Sequence, residues 1–251
     1  DQVGTYGTKG VAAPGTVPGA RSEAVAWTDA SGNLWLFGGR GYSASSRGYL
    51  NDLWKWDGTS WTWVSGSDGP NQPGSYGTQG GAAPGNVPGA RGGAVSWSDT
   101  SGNLWLFGGY GVAAASSGRL NDLWKWDGTS WTWVSGSNGT DQYGTYGTQG
   151  VAAPENVPGA RTGAVSWADA SGNLGLFGGN GYTAASNGGR HDLGRVGGAS
   201  GAVMPRPPSL HRPHRRRRPP RRRQLPQEDR PGRGPARPRI PASSSCPASP
   251  A

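Results

Sequence analysis

Hydrophobic residues in this chain come in short runs, and the runs recur at a fixed interval. AVAW (24–27) is small, apolar and partly β-branched, LWLF (34–37) is apolar at every position, and LWKWD (53–57) and WTWVS (61–65) set Trp against a polar or smaller residue at alternate positions. Alternation predicts strands with one buried face, and the unbroken LWLF run predicts a strand covered on both faces. The stretches between the runs carry turn chemistry. TDASGN (28–33) and DGTS (57–60) supply the Asp, Ser, Gly and Asn of hairpin turns. Gly38 and Gly39 open the longer connection to Asp52, where a positive φ or a close approach is needed. No window has a 3.6-residue apolar period capped at both ends, so the prediction is an all-β unit of four antiparallel strands.

That unit is repeated every 70 residues. Tyr6, Tyr76 and Tyr146 correspond, as do Arg21, Arg91 and Arg161, Trp27, Trp97 and Trp167, and Phe37, Phe107 and Phe177. Each copy opens with a Gly-, Ala- and Pro-rich stretch such as YGTKGVAAPGTVPGAR (6–21), which reads as ordered loop. The first unit with its leading loop takes residues 1–67, the second 68–137, and an incomplete third 138–193. The third copy decays in order. Gly175 stands where Trp35 and Trp105 stand, HDLG (191–194) replaces NDLW, and nothing after Leu193 matches. A single sheet of this kind cannot bury both of its Trp-bearing faces, so neighbouring sheets are expected to pack face to face.

A Gly pair closing the second strand (Gly38 and Gly39, Gly108 and Gly109, Gly178 and Gly179) is followed by an aromatic residue and a Trp flanking the next turn (Trp56 and Trp61, Trp126 and Trp131). This pattern resembles the kelch repeat. The full unit, with NVPGAR, SGNLWLFGG and LNDLW, is similar to the kelch-type repeats of bacterial proteins often described as galactose-oxidase-like, over residues 4–193. The first aromatic of that motif is often Tyr, and Trp56 and Trp126 depart from it. The resemblance implies a β-propeller with one blade per repeat. Propellers close with roughly four to eight blades, and about 2.6 are present here, an incomplete ring. The chain is therefore read as a fragment of a longer protein, with oligomeric closure as the alternative and self-association through exposed blade edges as its consequence.

Charge divides the chain in the same place as the repeat does. Up to Asn187 there are nine basic residues against twelve acids, a net charge of −3, while residues 188–251 carry fifteen Arg against three acids, +12 of the total +9. The repeats thus give no electrostatic reason to seek nucleic acid or anionic lipid. Residues 194–251, with HRPHRRRRPPRRR at 211–223 and no aromatic side chain, read as a disordered Arg/Pro-rich tail. An arginine-rich tail can bind nucleic acid through phosphate contacts, and a basic extension without a partner is a second reading. Loss of the reading frame near 188–194 is favoured over both, because the third unit stops before its third strand is complete. A nucleic-acid partner is accordingly not expected. No apolar run approaches the length of a membrane span. The chain opens on Asp with no signal-peptide pattern and is read as lacking its true start. The resemblance and the Cys-free, Gly/Ser/Thr/Trp-rich repeats imply a secreted or cell-surface protein.

The galactose-oxidase resemblance raises an enzyme reading, with a copper radical site of paired His, two Tyr and a Cys cross-linked to one of them. His191, His211, His214 and Cys246 all lie beyond residue 187, so the repeats offer no such ligands. No cofactor, metal or catalytic residue is expected, and the rival is a fragment of an enzyme whose catalytic blades lie elsewhere. Asp52, Asp57, Asp122 and Asp127 recur in consecutive units and are assigned to turn and strand-end hydrogen bonds, as are Asp29, Asp99 and Asp169 in the first turn. Arg21, Arg91 and Arg161 are expected to bridge neighbouring units or bond loop carbonyls. Trp35, Trp54 and Trp61 are assigned to the core between units, whereas Trp56 and Trp63 fall at edges where a ring can stack on a sugar.

In a four-stranded meander the second-to-third connection and the link to the next unit lie on one face. The loops at 40–49, 110–119 and 180–189 therefore gather there with the long Gly/Pro segments. Tyr42, Arg47, Tyr49, Tyr110, Arg119 and Tyr182 differ between copies on an otherwise constant scaffold. They are the candidate ligand-binding residues, for a protein or glycan.

Overall fold

The computed structural model describes residues 1–169, 173–184 and 202–204, and among them there are strands and turns but no helix. Every ladder between named strands is antiparallel, and no sheet closes on itself. Residues 1–209 form one compact unit, and the second, 210–251, lies outside the described residues.

In the first repeat, Val25–Thr28, Leu34–Tyr42, Arg47–Trp56 and Trp61–Ser65 lie side by side in chain order, with Arg21–Ser22 on the far end of the second strand. In the second repeat the same four positions are held by Val95–Ser98, Leu104–Phe107, Leu123–Trp126 and Trp131–Ser135. Ala82–Ala83, expected as loop, adds a short fifth strand outside Trp131–Thr132. In the third repeat Val165–Ala168 pairs with Leu174–Phe177. Ala202–Met204, within the stretch read as tail, takes the third-strand place with Leu174 opposite Met204 and Leu176 opposite Ala202. The corresponding partners in the first repeat are Trp56 and Trp54. The other readings of the tail, its disorder, its frame and its nucleic-acid role, lie outside the described residues.

The turns form as their residues dictate. The Asp29 carboxylate accepts from the backbone N–H groups of Ser31 and Asn33 and from the Trp35 indole at 2.9 Å, and Asp99 repeats this with Ser101, Asn103 and Trp105. Asp57 and Asp127 each accept from two backbone N–H groups of their own turn. Gly38 and Gly108 sit at φ of 63° and 66°. A Cβ at Gly38 would stand 2.8 Å from the Arg91 carbonyl of the next repeat, and one at Gly108 2.8 Å from that of Arg161. Glycine is required there because two sheets pass each other at backbone distance.

Successive sheets pack face to face. Val25, Trp27, Trp35, Phe37 and Leu53 from one side of the first sheet bury against Leu104, Leu106, Trp124, Trp126 and Trp131 of the second. Val95, Trp97, Trp105, Phe107 and Leu123 bury in turn with Leu174 and Leu176 of the third. Period-2 alternation thus sends odd and even positions of one strand to different neighbours. Rings interlock across the first interface, Trp35 with Trp126 at 6.2 Å and Phe37 with Trp131 at 5.5 Å. The Trp27 indole donates to the Trp105 carbonyl at 3.2 Å and Trp97 to that of Gly175 at 3.0 Å.

Candidate ligand-binding face

The loops of this face are held from below by a buried polar cluster that occurs twice. Asp52 accepts from the Tyr6 hydroxyl at 2.6 Å, from the Trp54 indole at 2.7 Å, and from both terminal nitrogens of Arg21 at 2.6 and 2.8 Å. Arg21 also donates to the carbonyls of Gly19 and Gly38. Tyr76, Arg91, Asp122 and Trp124 reproduce the cluster in the second repeat. The leading loop, the entry to the first strand, the Gly pair and the third strand are thereby fastened to one carboxylate.

This refines the assignment of Asp52 and Asp122 to turn and strand-end hydrogen bonds: no turn is involved. They lie at the third strand, fully buried, and are counter-ions of Arg21 and Arg91. The arginines do bond loop carbonyls as expected, and among the described residues their side-chain hydrogen bonds go to partners in their own repeat. Burial alone would push the Arg91 guanidinium down, but the hydrogen bonds and charge of Asp122 hold it above its ordinary value. Burial pushes the Tyr6 and Tyr76 hydroxyls well above the usual tyrosine range, reinforced by the Asp52 and Asp122 charges. In the third repeat Arg161 donates to the carbonyls of Gly159 and Gly178 and to the Tyr146 hydroxyl, while Asp192, the repeat-equivalent acid, lies outside the described residues. The two clusters are closed: every donor is satisfied internally and no carboxylate points outward.

Above them the second and third strands of the first repeat extend into a hairpin, and in the second repeat Tyr110–Val112 and Ser117–Arg119 form a separate hairpin at the same place. Arg40 pairs across the first hairpin with Tyr49, whose ring lies 5.7 Å from that of Tyr110 in the next repeat. Tyr110 pairs across its hairpin with Arg119, which donates to the Asn180 side chain at 3.0 and 2.6 Å in the third repeat. Arg40, Tyr49, Tyr110, Arg119 and Asn180 are thus consecutive neighbours in a row spanning three repeats. Tyr182 flanks the row, with the Arg119 guanidinium 6.0 Å from its ring centre and Tyr143 at 5.5 Å. Tyr42 and Arg47 face each other nearer the tip of the first hairpin.

The hairpins are strapped down by the interrepeat loops. Asn71, at φ 57°, accepts from the Tyr49 N–H through its side chain and donates its own N–H to the Tyr49 carbonyl at 2.7 Å. Asp141 does the same for Arg119. Asn and Asp tolerate this left-handed conformation better than other residues with a Cβ. Burial is also the main cause that lifts the Tyr49 hydroxyl above its ordinary value, with Arg40 opposing, and burial together with Asp141 lifts Tyr182.

Three of the six variable residues, Tyr49, Tyr110 and Arg119, therefore lie in one row with Tyr182 beside it, and Tyr42 and Arg47 form a separate pair. Arg40 and Asn180 escape notice as single residues, yet they share a repeat position with Tyr110. The change from Arg to Tyr to Asn directly after each Gly pair was the available signal. Of the Trp candidates, Trp56 is half-buried with its ring 5.6 Å from that of Trp61, while its copy Trp126 is buried between the first two sheets; the half-buried Trp63 ring has Lys9 over it at 4.4 Å and the Tyr6 ring at 5.1 Å. Trp61 is only half-buried, whereas its copy Trp131 is fully buried as expected. Among the described residues no group of three or more His, Cys, Asp or Glu is placed to hold a metal ion, and no helix is long and apolar enough to cross a membrane.

No protein-family model matches the chain, and no curated protein does. Among solved structures the chain is similar to one described as the structure of YjhT, at 13% identity and a TM-score of 0.39, over 66% of this chain. It spans 41% of that structure's length.

Proposed function

We propose that the chain is a non-catalytic binding module, built of kelch-like blades in a β-propeller arrangement. Its ligand is a protein or glycan taken on the face bearing the row from Arg40 to Asn180. The observation that carries this reading is the contrast between the row and its support. The scaffold repeats down to the Tyr6–Asp52–Arg21 and Tyr76–Asp122–Arg91 clusters, while the residues set side by side on the hairpins are Arg, Tyr, Tyr, Arg and Asn. Aromatic and Arg side chains on a rigid support present contact area at low entropic cost. A secreted or cell-surface setting accompanies the proposal.

The test is binding of the full chain to glycan and protein arrays in physiological salt and at about 1 M salt, where charges on the tail are screened beyond about 3 Å. The proposal expects a signal that survives high salt and falls at least tenfold in the Tyr49→Ala/Tyr110→Ala variant, with the thermal midpoint unchanged. A signal that vanishes in high salt, or that the double variant retains, would overturn it.

A further inference from the structure

Residues identical in sequence and in place within the unit differ sharply in exposure, and only at the two ends of the stack. Leu34 is 46% exposed, against 2% for Leu104 and 7% for Leu174. At the other end Trp167 is 47% exposed against 5% and 4% for Trp27 and Trp97. Val165 and Phe177 follow, at 58% and 41%, against 8% for Val25 and Val95 and 1% for Phe37 and Phe107. Among the described residues the first sheet has no neighbour on the side where Leu34, Leu36, Trp56 and Trp61 point, and the third has none on the side of Val165, Trp167 and Phe177.

These two open faces correspond in residues to the two halves of the interface between successive repeats. Inside the chain, the side bearing Val25, Trp27 and Phe37 is covered by the side bearing Leu104, Leu106, Trp126 and Trp131. Shifted by whole repeats, the first set becomes Val165, Trp167 and Phe177, and the second becomes Leu34, Leu36, Trp56 and Trp61. Gly178 fits the same picture: a Cβ there meets nothing within 4 Å, whereas at Gly38 and Gly108 it meets a following repeat. The internal contacts therefore specify what covers each end.

We propose that the face of the first repeat at Leu34, Trp56 and Trp61 docks the third-repeat face at Val165, Trp167 and Phe177 of a second copy of this chain, head to tail. The internal Phe37–Trp131 ring contact becomes Phe177 of one copy on Trp61 of the other. The internal bond from Trp27 to the Trp105 carbonyl becomes one from Trp167 to the Trp35 carbonyl. Trp167 is the side chain that must move, because its indole lies over Gly175, in space that a Cβ there would occupy. Gly175 also removes one ring from the docking face, so the contact is weaker than those within the chain. It is heterologous, leaving one open face on each end of any unclosed assembly. The inference does not depend on the ligand-binding reading, since these faces lie between sheets and not on the hairpin row.

Light scattering on the full chain between about 1 and 100 µM tests it, a range matched to micromolar affinity. In about 0.15 M salt, which limits repulsion between basic tails to roughly 8 Å, wild type is expected to gain mass with concentration. Leu34→Asp and Trp167→Asp are each expected to stay monomeric, because each destroys one half of the proposed interface. Mixed together, they are expected to form a one-to-one pair and nothing larger, through the intact last face of one and the intact first face of the other. Wild type monomeric throughout, or Leu34→Asp alone still dimerising, overturns the proposal. Trp61→Asp and Phe177→Asp provide a second pair with the same expectations, and far-UV circular dichroism on each variant separates lost docking from lost folding.

Discussion

Arg91 and Asp122 meet as a bidentate ion pair with both side chains fully buried, NH1 to Oδ1 at 2.6 Å and NH2 to Oδ2 at 2.7 Å. The same carboxylate holds Tyr76 and Trp124. Three segments, those of Tyr76, Arg91 and Asp122 with Trp124, therefore share one acceptor group. Removing it leaves a buried guanidinium without its counter-ion, at a cost of about 3–5 kcal/mol. Asp122→Ala is expected to lower the stability of the chain by that amount in guanidinium titrations. A loss near that of an ordinary surface substitution would show that the pair is not buried as described.

The two leucines at equivalent positions give a sharper comparison. Leu104→Ala, within the packed interface, is expected to cost about 2–5 kcal/mol. Leu34→Ala, on the open first face, is expected to cost about 0.5 kcal/mol or less in dilute solution, as a surface substitution does. Equal costs, measured by chemical denaturation of the monomer, would mean that the first sheet is covered in the isolated chain.

Gly108 and Gly178 separate backbone strain from contact between sheets. Both have positive φ, at 66° and 70°, so an added Cβ is strained in each, by about 1–2 kcal/mol. Only at Gly108 does it also run into backbone, the Arg161 carbonyl. Gly108→Ala is expected to be clearly more destabilising than Gly178→Ala, and thermal unfolding of the two variants side by side checks this.

Tyr76, like Tyr6, ties stability to alkaline pH. Its folded-state value lies above the unfolded one through burial and the Asp122 charge. The unfolded chain therefore releases this proton first, near pH 10, while the folded chain keeps it. The stabilisation is fully present below about pH 10 and is lost as pH rises beyond it. Titration of tyrosinate absorbance is expected to show a late component in native protein that is absent in denaturant. Tyr76→Phe is expected to remove part of it and to flatten the alkaline fall in stability. If the native and denatured curves coincide, the Tyr76 hydroxyl is not buried against Asp122.

The strands, their turns and the 70-residue period are legible from residues 24–65 and their copies, because they depend on local chemistry. Alternation of Trp with polar residues, Asp-Gly turns, and Gly pairs at positive φ constrain the chain within a few residues of themselves. The variable residues of the candidate face could also be picked out, as differences between copies on a constant background. That Tyr49 touches Tyr110 while Tyr42 pairs with Arg47 instead could not, because both pairings depend on how hairpins from successive repeats align. Asp52 reads as a strand-end acid until Tyr6 and Arg21, 46 and 31 residues away, close on it.

What the sequence by itself determined is therefore the unit and its repetition: which residues extend, where the chain turns, and which positions vary. What only the tertiary structure decided is the environment of identical units. Leu34 and Leu104 sit in the same nine-residue segment, SGNLWLFGG, yet one is exposed and the other buried. The physical reason is that burial belongs to the pair of sheets and not to the strand, so the same residue is core or open surface according to whether a neighbour stands beside it.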